Sequence, residues 1–323
     1  MTDVPAVQAP LVQDWIDRAK RADPRAVARL ISWIEDSSPA VPEVMAQLAP
    51  TAGRARVIGL TGAPGVGKST TTSALIAGYR KRDQRVGVIA VDPSSPFSGG
   101  ALLGDRIRMQ DHALDDGVFI RSMASRGHLG GLAATTPQAV RVFEAAGVDV
   151  VIIETVGVGQ SEVEVAGTAD TTVVLLAPGM GDGIQAAKAG ILEVGDVFCV
   201  NKADRDGADS TAREVRHMIS LADRDPHRWE PQVVKAVASR GEVDELLAVI
   251  DLHQEWLTED DRLEQRRQRR ATEEITALTL AHFRRRIGTD GHQQLLVLAQ
   301  AVATGSLDPY SAADRLIATI GED

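Results

Sequence analysis

The stretch from Val57 to Thr72, VIGLTGAPGVGKSTTT, decides the fold of this chain. An apolar run typical of a β-strand leads into a glycine-rich turn, which ends in Lys68 and Ser69 and continues into residues that favour a helix. The turn matches the pattern G-x-x-x-x-G-K-[ST], the phosphate-binding P-loop. Strand, motif and helix together predict a site for a nucleoside triphosphate; the alternative is a strand-to-helix turn without a ligand.

The motif predicts how the phosphates are bound. Backbone N–H groups must turn towards the phosphates in conformations that glycine adopts easily, and the next helix directs the positive end of its dipole at the same place. Lys68 is predicted to bridge the β- and γ-phosphates, and the Ser69 hydroxyl to bind Mg²⁺. The predicted nucleotide-binding residues of this stretch are Gly62, Ala63, Pro64, Gly65, Val66, Gly67, Lys68, Ser69 and Thr70.

Composition limits the classes of partner. The chain has 323 residues and 44% hydrophobic content, which is enough for one nucleotide-binding domain and about a hundred additional residues. A net charge of −10 argues against nucleic acid and membrane surfaces as partners, because both are anionic. The single cysteine, Cys199, lies in an apolar run and predicts a buried thiol. Since neither a signal peptide nor a long apolar span is evident, we expect a cytoplasmic protein.

Apolar strands alternate with amphipathic helices from Ala55 onwards. This alternation predicts an α/β fold, a mostly parallel sheet with helices on both faces. Ligands of such sheets bind at the carboxyl ends of the strands. The predicted strands lie at about 55–60, 86–91, 118–121, 148–153, 172–177, 196–200 and 232–236.

The two ends of the chain show helical spacing only, in residues 8–50 and beyond about residue 258. We interpret the charged run from Arg262 to Arg270, RLEQRRQRR, as a solvated helix face. The predicted domains are an N-terminal helical extension, a P-loop domain and a C-terminal helical arm, at residues 1–52, 53–257 and 258–323.

A second motif, Asn201-Lys202-Ala203-Asp204, follows the predicted strand at 196–200. A carboxylate at Asp204 can accept both the N1–H and the N2 amino hydrogens of guanine, whereas adenine has no N1–H. Lys202 is predicted to lie along the ring, and Asn201 to hold this loop to the P-loop. The run Lys235-Ala236-Val237-Ala238 could offer a backbone N–H to guanine O6. The motif therefore predicts GTP as the ligand, in preference to ATP.

Glu154 ends the predicted strand at 148–153, where the Walker-B acid belongs. It is predicted to hold Mg²⁺ through a water molecule, and the Gly157 N–H to reach the γ-phosphate. Val158 stands where small signalling GTPases carry the glutamine that orients the attacking water. Because valine cannot orient water, we expect slow intrinsic hydrolysis that a partner accelerates. Gln160 is a candidate substitute, or a structural residue of the next helix.

Two further loops follow predicted strands. A stretch rich in proline, serine and glycine carries Asp92 and Asp105, which can reach the Mg²⁺ shell or can act as helix N-caps. A glycine-rich loop carries Asp182, Gln185 and Lys188 about one helical turn apart, so that they can share a face. The alternative for this second loop is a capped, solvated helix start.

Five stretches together resemble the MeaB/ArgK family of metallochaperone-type P-loop GTPases: GAPGVGKST, VDPSSPFSGGALLGDRIRM, ETVGVGQSE, PGMGDGIQAAK and NKAD. The resemblance covers nearly all of residues 10–320. It implies a Rossmann-like GTPase core, an N-terminal helical addition and a C-terminal helical arm that makes a homodimer. One departure is Ala236, which stands where the family often has threonine before Val-Ala.

The resemblance also implies a function, the GTP-gated loading of adenosylcobalamin into methylmalonyl-CoA mutase and the protection of that enzyme. It places the family's Mg²⁺ and switch acids on Asp92, Asp105 and Glu154, and a mobile, catalytically important switch on Asp182, Gln185 and Lys188. Contact with a cobalamin adenosyltransferase stays open.

Two other functions fit part of the pattern. A nickel-inserting GTPase would share the core, but such proteins hold metal through Cys or His clusters, whereas this chain has one Cys and seven scattered His. A kinase acting on transport proteins would use ATP, which the Asn-Lys-Ala-Asp motif opposes.

Overall fold

The structure of the protein is a computed structural model, and the residues that it describes are 9–93, 112, 114–125, 131–155, 167–179, 194–221, 228–289 and 292–321. The chain forms two compact units, Met1–Arg270 and Ala271–Asp323. Within the described ranges, no helix combines the length and apolar character that a membrane span requires. The domain limits given above stay predictions.

A seven-stranded parallel sheet forms the centre of the first unit. In chain order its strands are β1 Arg56–Thr61, β2 Val86–Pro93, β3 Val118–Ser125, β4 Val150–Glu154, β5 Thr171–Leu176, β6 Val197–Val200 and β7 Gln232–Lys235. They lie side by side in the order β3-β2-β4-β1-β5-β6-β7. The predicted α/β fold is confirmed, because each predicted strand exists and each pairs in parallel.

Helices precede, connect and follow the strands. Three come first, α1 Ala9–Lys20, α2 Pro24–Glu35 and α3 Val41–Leu48. The next four are α4 Lys68–Lys81, α5 Gly131–Ala145, α6 Ala208–Leu221 and α7 Asp244–Thr258. The chain ends in α8 Arg262–Thr289, α9 His292–Ala303 and α10 Pro309–Gly321. The helical regions predicted at both ends are therefore present.

Both faces of the sheet are covered, because side chains alternate between two apolar clusters. Val57 packs with residues of α1, α2, α3 and α5, whereas Ile58 and Leu60 pack with residues of α4 and α7. Cys199 lies fully buried in the second cluster, and burial raises the pKa of its thiol to about 12. The prediction of a buried thiol is confirmed.

The strand order places the P-loop at the middle of the sheet. β1 lies between β4 and β5, and the P-loop follows directly from its carboxyl end. The chain leaves β1 towards β2 on one side and later crosses to β5 on the other. Open parallel sheets bind ligands at such a reversal of strand order, outside the carboxyl ends of the strands.

The arginine run at the start of α8 differs from the prediction. Arg270 Nη2 lies 2.6 Å from Asp170 Oδ1, and Arg267 Nη2 lies 3.2 Å from Asp170 Oδ2. Arg266 Nη2 lies 3.0 Å from Asp196 Oδ2. The prediction of a solvated helix face is wrong, because residues one and four apart share one side of α8, and that side meets two carboxylates that precede β5 and β6.

We expect removal of the Asp170 charge to destabilise the fold strongly. Asp170 is fully buried and also accepts the backbone N–H of Val57 at 2.9 Å. The substitution Asp170→Asn leaves two arginines without their counter-charge, which typically lowers the free energy of unfolding by about 3–5 kcal/mol. Urea denaturation measures the change. Asp209→Asn is the matched control, because Asp209 pairs with Lys235 at the surface and should cost less than about 1 kcal/mol. Equal effects of the two substitutions would contradict this account.

The second unit, Ala271–Asp323, has a small apolar core of its own. Leu298, Ala312 and Leu316 are buried together, and Ile287 and Val302 pack against them. Many large apolar side chains of this unit remain exposed, namely Ile275, Leu278, Leu280, Phe283, Leu295, Leu296, Val297, Tyr310 and Ile317. A unit with so much exposed apolar surface fits a role in association.

Candidate functional site

Three glycines give the P-loop its shape. Gly62, Gly65 and Gly67 have φ angles of 142°, 81° and 98°, a region that favours glycine. A Cβ atom on Gly62 would lie 2.3 Å from the carbonyl oxygen of Leu175, and one on Gly67 would lie 2.5 Å from Asn201 Nδ2. The loop therefore needs glycine at these two positions both for its backbone angles and for the space.

Lys68 begins α4 and is buried beneath the loop, with 8% of its surface exposed. Its Nζ donates hydrogen bonds to the carbonyl oxygens of Gly62 at 2.8 Å and Ala63 at 3.1 Å. The ammonium group is thus held inside the curve of the loop. Phosphate oxygens are charged and are stronger acceptors than these carbonyls, so the position suits the predicted contact with phosphate.

Ser69 and Glu154 lie in contact, as the strand order requires. β4 pairs with β1 so that Glu154 stands opposite Leu60, next to the start of the P-loop. Ser69 Oγ donates to Glu154 Oε1 at 2.6 Å, and both side chains are buried. A hydroxyl and a carboxylate are the oxygen ligands that Mg²⁺ prefers, so these residues fit the predicted metal site.

The Asn201-Lys202-Ala203-Asp204 loop contacts the P-loop directly. Asn201 Nδ2 donates to the carbonyl oxygen of Val66 at 2.9 Å, and Lys202 Nζ donates to that of Gly65 at 2.6 Å. The expected contact of Asn201 with the P-loop is present. Asp204 Oδ2 lies 3.3 Å from Arg240 Nη2, in a pair exposed to solvent. The base-reading motif and the phosphate-binding motif therefore form one continuous surface.

The run predicted to reach guanine O6 uses its N–H groups within the protein. The N–H of Ala236 donates to the carbonyl of Val200 at 3.0 Å, and that of Val237 to the carbonyl of Glu242 at 3.1 Å. The N–H of Ala238 donates to Asn201 Oδ1 at 3.1 Å. An O6 contact through any of these three would break an existing bond, so these backbone donors need correction.

Ser239, one residue later, is a better candidate for that donor. It lies in the short 3-10 turn Ala238–Arg240, and its N–H has no hydrogen-bond partner among the described residues. The sequence gave no signal for this shift, because it depends on the bond between Asn201 and Ala238, which is visible only once β6 and β7 are adjacent.

Several predicted site residues lie outside the described part of the chain: Asp105, Gly157, Val158, Gln160, Asp182, Gln185 and Lys188. Asp92 is described through its backbone, which places it in β2 beside Ala124 of β3. The roles assigned to these residues stay predictions. The residues that the structure brings together are those of the P-loop, Glu154 and the Asn201–Asp204 loop.

A family model described as "Methylmalonyl Co-A mutase-associated GTPase MeaB" matches residues 27–291 of this chain. The chain belongs to the MeaB family. A relative from Pyrococcus abyssi, named only as a GTPase, is 44% identical over 315 residues, covering 96% of this chain and 97% of its own. The GTPase ArgK of Escherichia coli is 39% identical over 268 residues, covering 80% of each chain. This MeaB-family protein is therefore a GTPase that binds a guanine nucleotide.

A solved structure supports the fold. The crystal structure of a protein described as LAO/AO transport system kinase matches with a TM-score of 0.72 and 27% sequence identity, covering 98% of this chain and 100% of its own. The sequence-based identification with the MeaB/ArgK family and the P-loop GTPase fold are thus confirmed.

Proposed function

We propose that this MeaB-family GTPase gates the loading of adenosylcobalamin into methylmalonyl-CoA mutase and protects the loaded enzyme. The observation that carries the proposal is one continuous site, in which Asn201 and Lys202 bond to the P-loop, in a chain whose residues 27–291 match the mutase-associated family. Such a site can report both the base and the phosphates of its nucleotide to a partner. The proposed place of action is the cytoplasm.

The phosphates and Mg²⁺ would be bound by residues of α4 and β4. Lys68 would move its Nζ from two loop carbonyls to the β- and γ-phosphates. Ser69 would ligate Mg²⁺ directly and Glu154 through water, with Asp92 and Asp105 as further candidates. The metal would neutralise charge on the phosphate oxygens when bound. At the other end of the site, Asp204 would accept two hydrogens of guanine.

Hydrolysis would be slow without a partner. Val158 carries no group that can orient water, and the candidates for completing the site are Gly157, Asp182, Gln185 and Lys188. A partner that orders these residues would accelerate turnover. In this proposal the GTPase is a switch whose hydrolysis depends on the mutase.

The C-terminal arm would make a homodimer. Its support is the exposed apolar surface of the second unit, which includes Phe283 on α8 and Val297 on α9. A second copy of the chain could bury such a surface. Whether a cobalamin adenosyltransferase also binds stays open.

The experiment is a GTP turnover assay with and without purified methylmalonyl-CoA mutase, with ATP as the control nucleotide. We expect the mutase to raise GTP turnover by well over tenfold, though less than the roughly 10³-fold or more of an arginine finger. ATP turnover should stay at background in both arms. If the mutase leaves GTP turnover unchanged, the proposed coupling to this enzyme is contradicted.

A further inference from the structure

Glu154 has a second hydroxyl partner besides Ser69. Thr72 Oγ1 donates to Glu154 Oε2 at 2.7 Å, while Ser69 Oγ occupies Oε1. Thr72 lies three residues after Ser69 in α4, so both hydroxyls lie on the side of the helix that faces β4. Thr72 is fully buried and Glu154 is 3% exposed, so water cannot easily replace this bond.

The Thr72 hydroxyl has a choice of acceptors. A threonine within a helix commonly donates to the carbonyl four residues earlier, as Thr71 does to Gly67 at 3.0 Å. Thr72 Oγ1 lies 3.1 Å from the carbonyl oxygen of Lys68 but only 2.7 Å from Glu154 Oε2. A hydroxyl has one hydrogen, and an ionised carboxylate is the stronger acceptor. The hydrogen therefore goes to Glu154.

The length of Glu154 explains why a second donor matters. Glutamate has one more rotatable bond than the aspartate of small signalling GTPases, so fixing its carboxylate costs more side-chain entropy. Ser69 is also the predicted ligand of the metal and has two tasks, whereas Thr72 contacts only the carboxylate and its own helix. Thr72 is thus the donor that can be dedicated to holding Glu154 in place.

We propose that Thr72 is a positioning residue of the magnesium site, which fixes the Glu154 carboxylate through a buried hydrogen bond. This inference rests on the magnesium role proposed above for Ser69 and Glu154. Thr72 itself contacts neither nucleotide nor metal in this arrangement. Its loss should therefore affect binding that depends on Mg²⁺ and leave binding without Mg²⁺ unchanged.

The test measures the release rate of a fluorescent GDP analogue from the full-length protein over a range of Mg²⁺ concentrations, and in EDTA. Thr72→Val keeps the shape but removes the hydroxyl, Thr72→Ser restores the hydroxyl, and Thr71→Val is the matched control on the same helix. We expect Thr72→Val to raise the Mg²⁺ concentration for half-maximal slowing of release about tenfold. Thr72→Ser and Thr71→Val should stay within about twofold of wild type, and release in EDTA should be equal in all four proteins.

A second background shows whether the effect passes through Glu154. In Glu154→Gln, we expect Thr72→Val to cause no further shift in the Mg²⁺ requirement, because the bond it removes serves that carboxylate. If Thr72→Val fails to fold by circular dichroism, Thr72→Ala removes the same hydroxyl without adding a methyl group.

The outcomes separate this inference from the function on which it rests. An unchanged Mg²⁺ requirement in Thr72→Val, an equal shift in Thr71→Val, or no rescue by Thr72→Ser would overturn the role of Thr72 while leaving the magnesium site standing. Release that is independent of Mg²⁺ even in the wild-type protein would overturn the magnesium site and the role of Thr72 together.

Discussion

Replacement of Lys68 by alanine is expected to weaken GTP binding at least 100-fold, by an order-of-magnitude estimate for a charge that contacts two phosphates. The Lys68 ammonium group is held inside the P-loop by the carbonyl oxygens of Gly62 and Ala63. No other described lysine lies within the curve of this loop, since Lys202 binds its outer side at Gly65. The lost charge therefore has no replacement. Calorimetric titration with GTP and Mg²⁺ measures the effect.

A control for Lys68→Ala is available on the same helix. Lys81 ends α4 and is exposed, so Lys81→Ala removes the same group far from the loop and should leave GTP affinity unchanged. Circular dichroism of both variants shows whether the fold is kept. Tight GTP binding by folded Lys68→Ala would contradict the assignment of the phosphate site.

Replacement of Asp204 by asparagine is expected to change which base is bound. The carboxylate can accept two hydrogens from guanine, whereas the carboxamide accepts fewer and can donate to the O2 of xanthine. We expect GTP affinity to fall roughly 100-fold and xanthosine triphosphate to be preferred. The exposed pair of Asp204 with Arg240 contributes little to stability, so the fold should be kept. Competition between the two nucleotides for a fluorescent GDP analogue measures the preference.

Asp206 provides the control for this change of specificity. It is an exposed carboxylate in the same loop, two residues beyond Asp204. Asp206→Asn should keep the wild-type preference for GTP. A preference for GTP in Asp204→Asn as strong as in Asp206→Asn would remove Asp204 from the base site.

Much of the fold could be predicted because its signals are local. The strand predicted at about 55–60 lies at Arg56–Thr61, and the P-loop and the Asn201–Asp204 motif follow their strands as expected. β3 extends further than predicted, to Ser125, because it is an edge strand that pairs only with β2 and tolerates polar residues. One of them, Arg121, donates to Ser32 of α2 at 2.9 Å.

The features that sequence reasoning missed all depend on contacts between distant segments. Asp170 and Arg270 are a hundred positions apart, and a charged run by itself is typical of a solvated face. Thr72 looks like one of several threonines in α4 until β4 places Glu154 beside it. The N–H of Ala238 looks available until Asn201 is seen to accept it. Spacing along the chain carries no information on such pairs.

The most direct test of the central claim, that nucleotide state governs the interaction with the mutase, is the affinity of the mutase for this GTPase in two states. The protein is loaded with a non-hydrolysable GTP analogue or with GDP, both with Mg²⁺, and titrated with methylmalonyl-CoA mutase. Because a ligand shifts an equilibrium only through its differential affinity for two states, gating requires that the two dissociation constants differ. We predict a difference of at least about fivefold, the lower end of typical coupling between sites. Equal dissociation constants, or no binding in either state, would contradict the account.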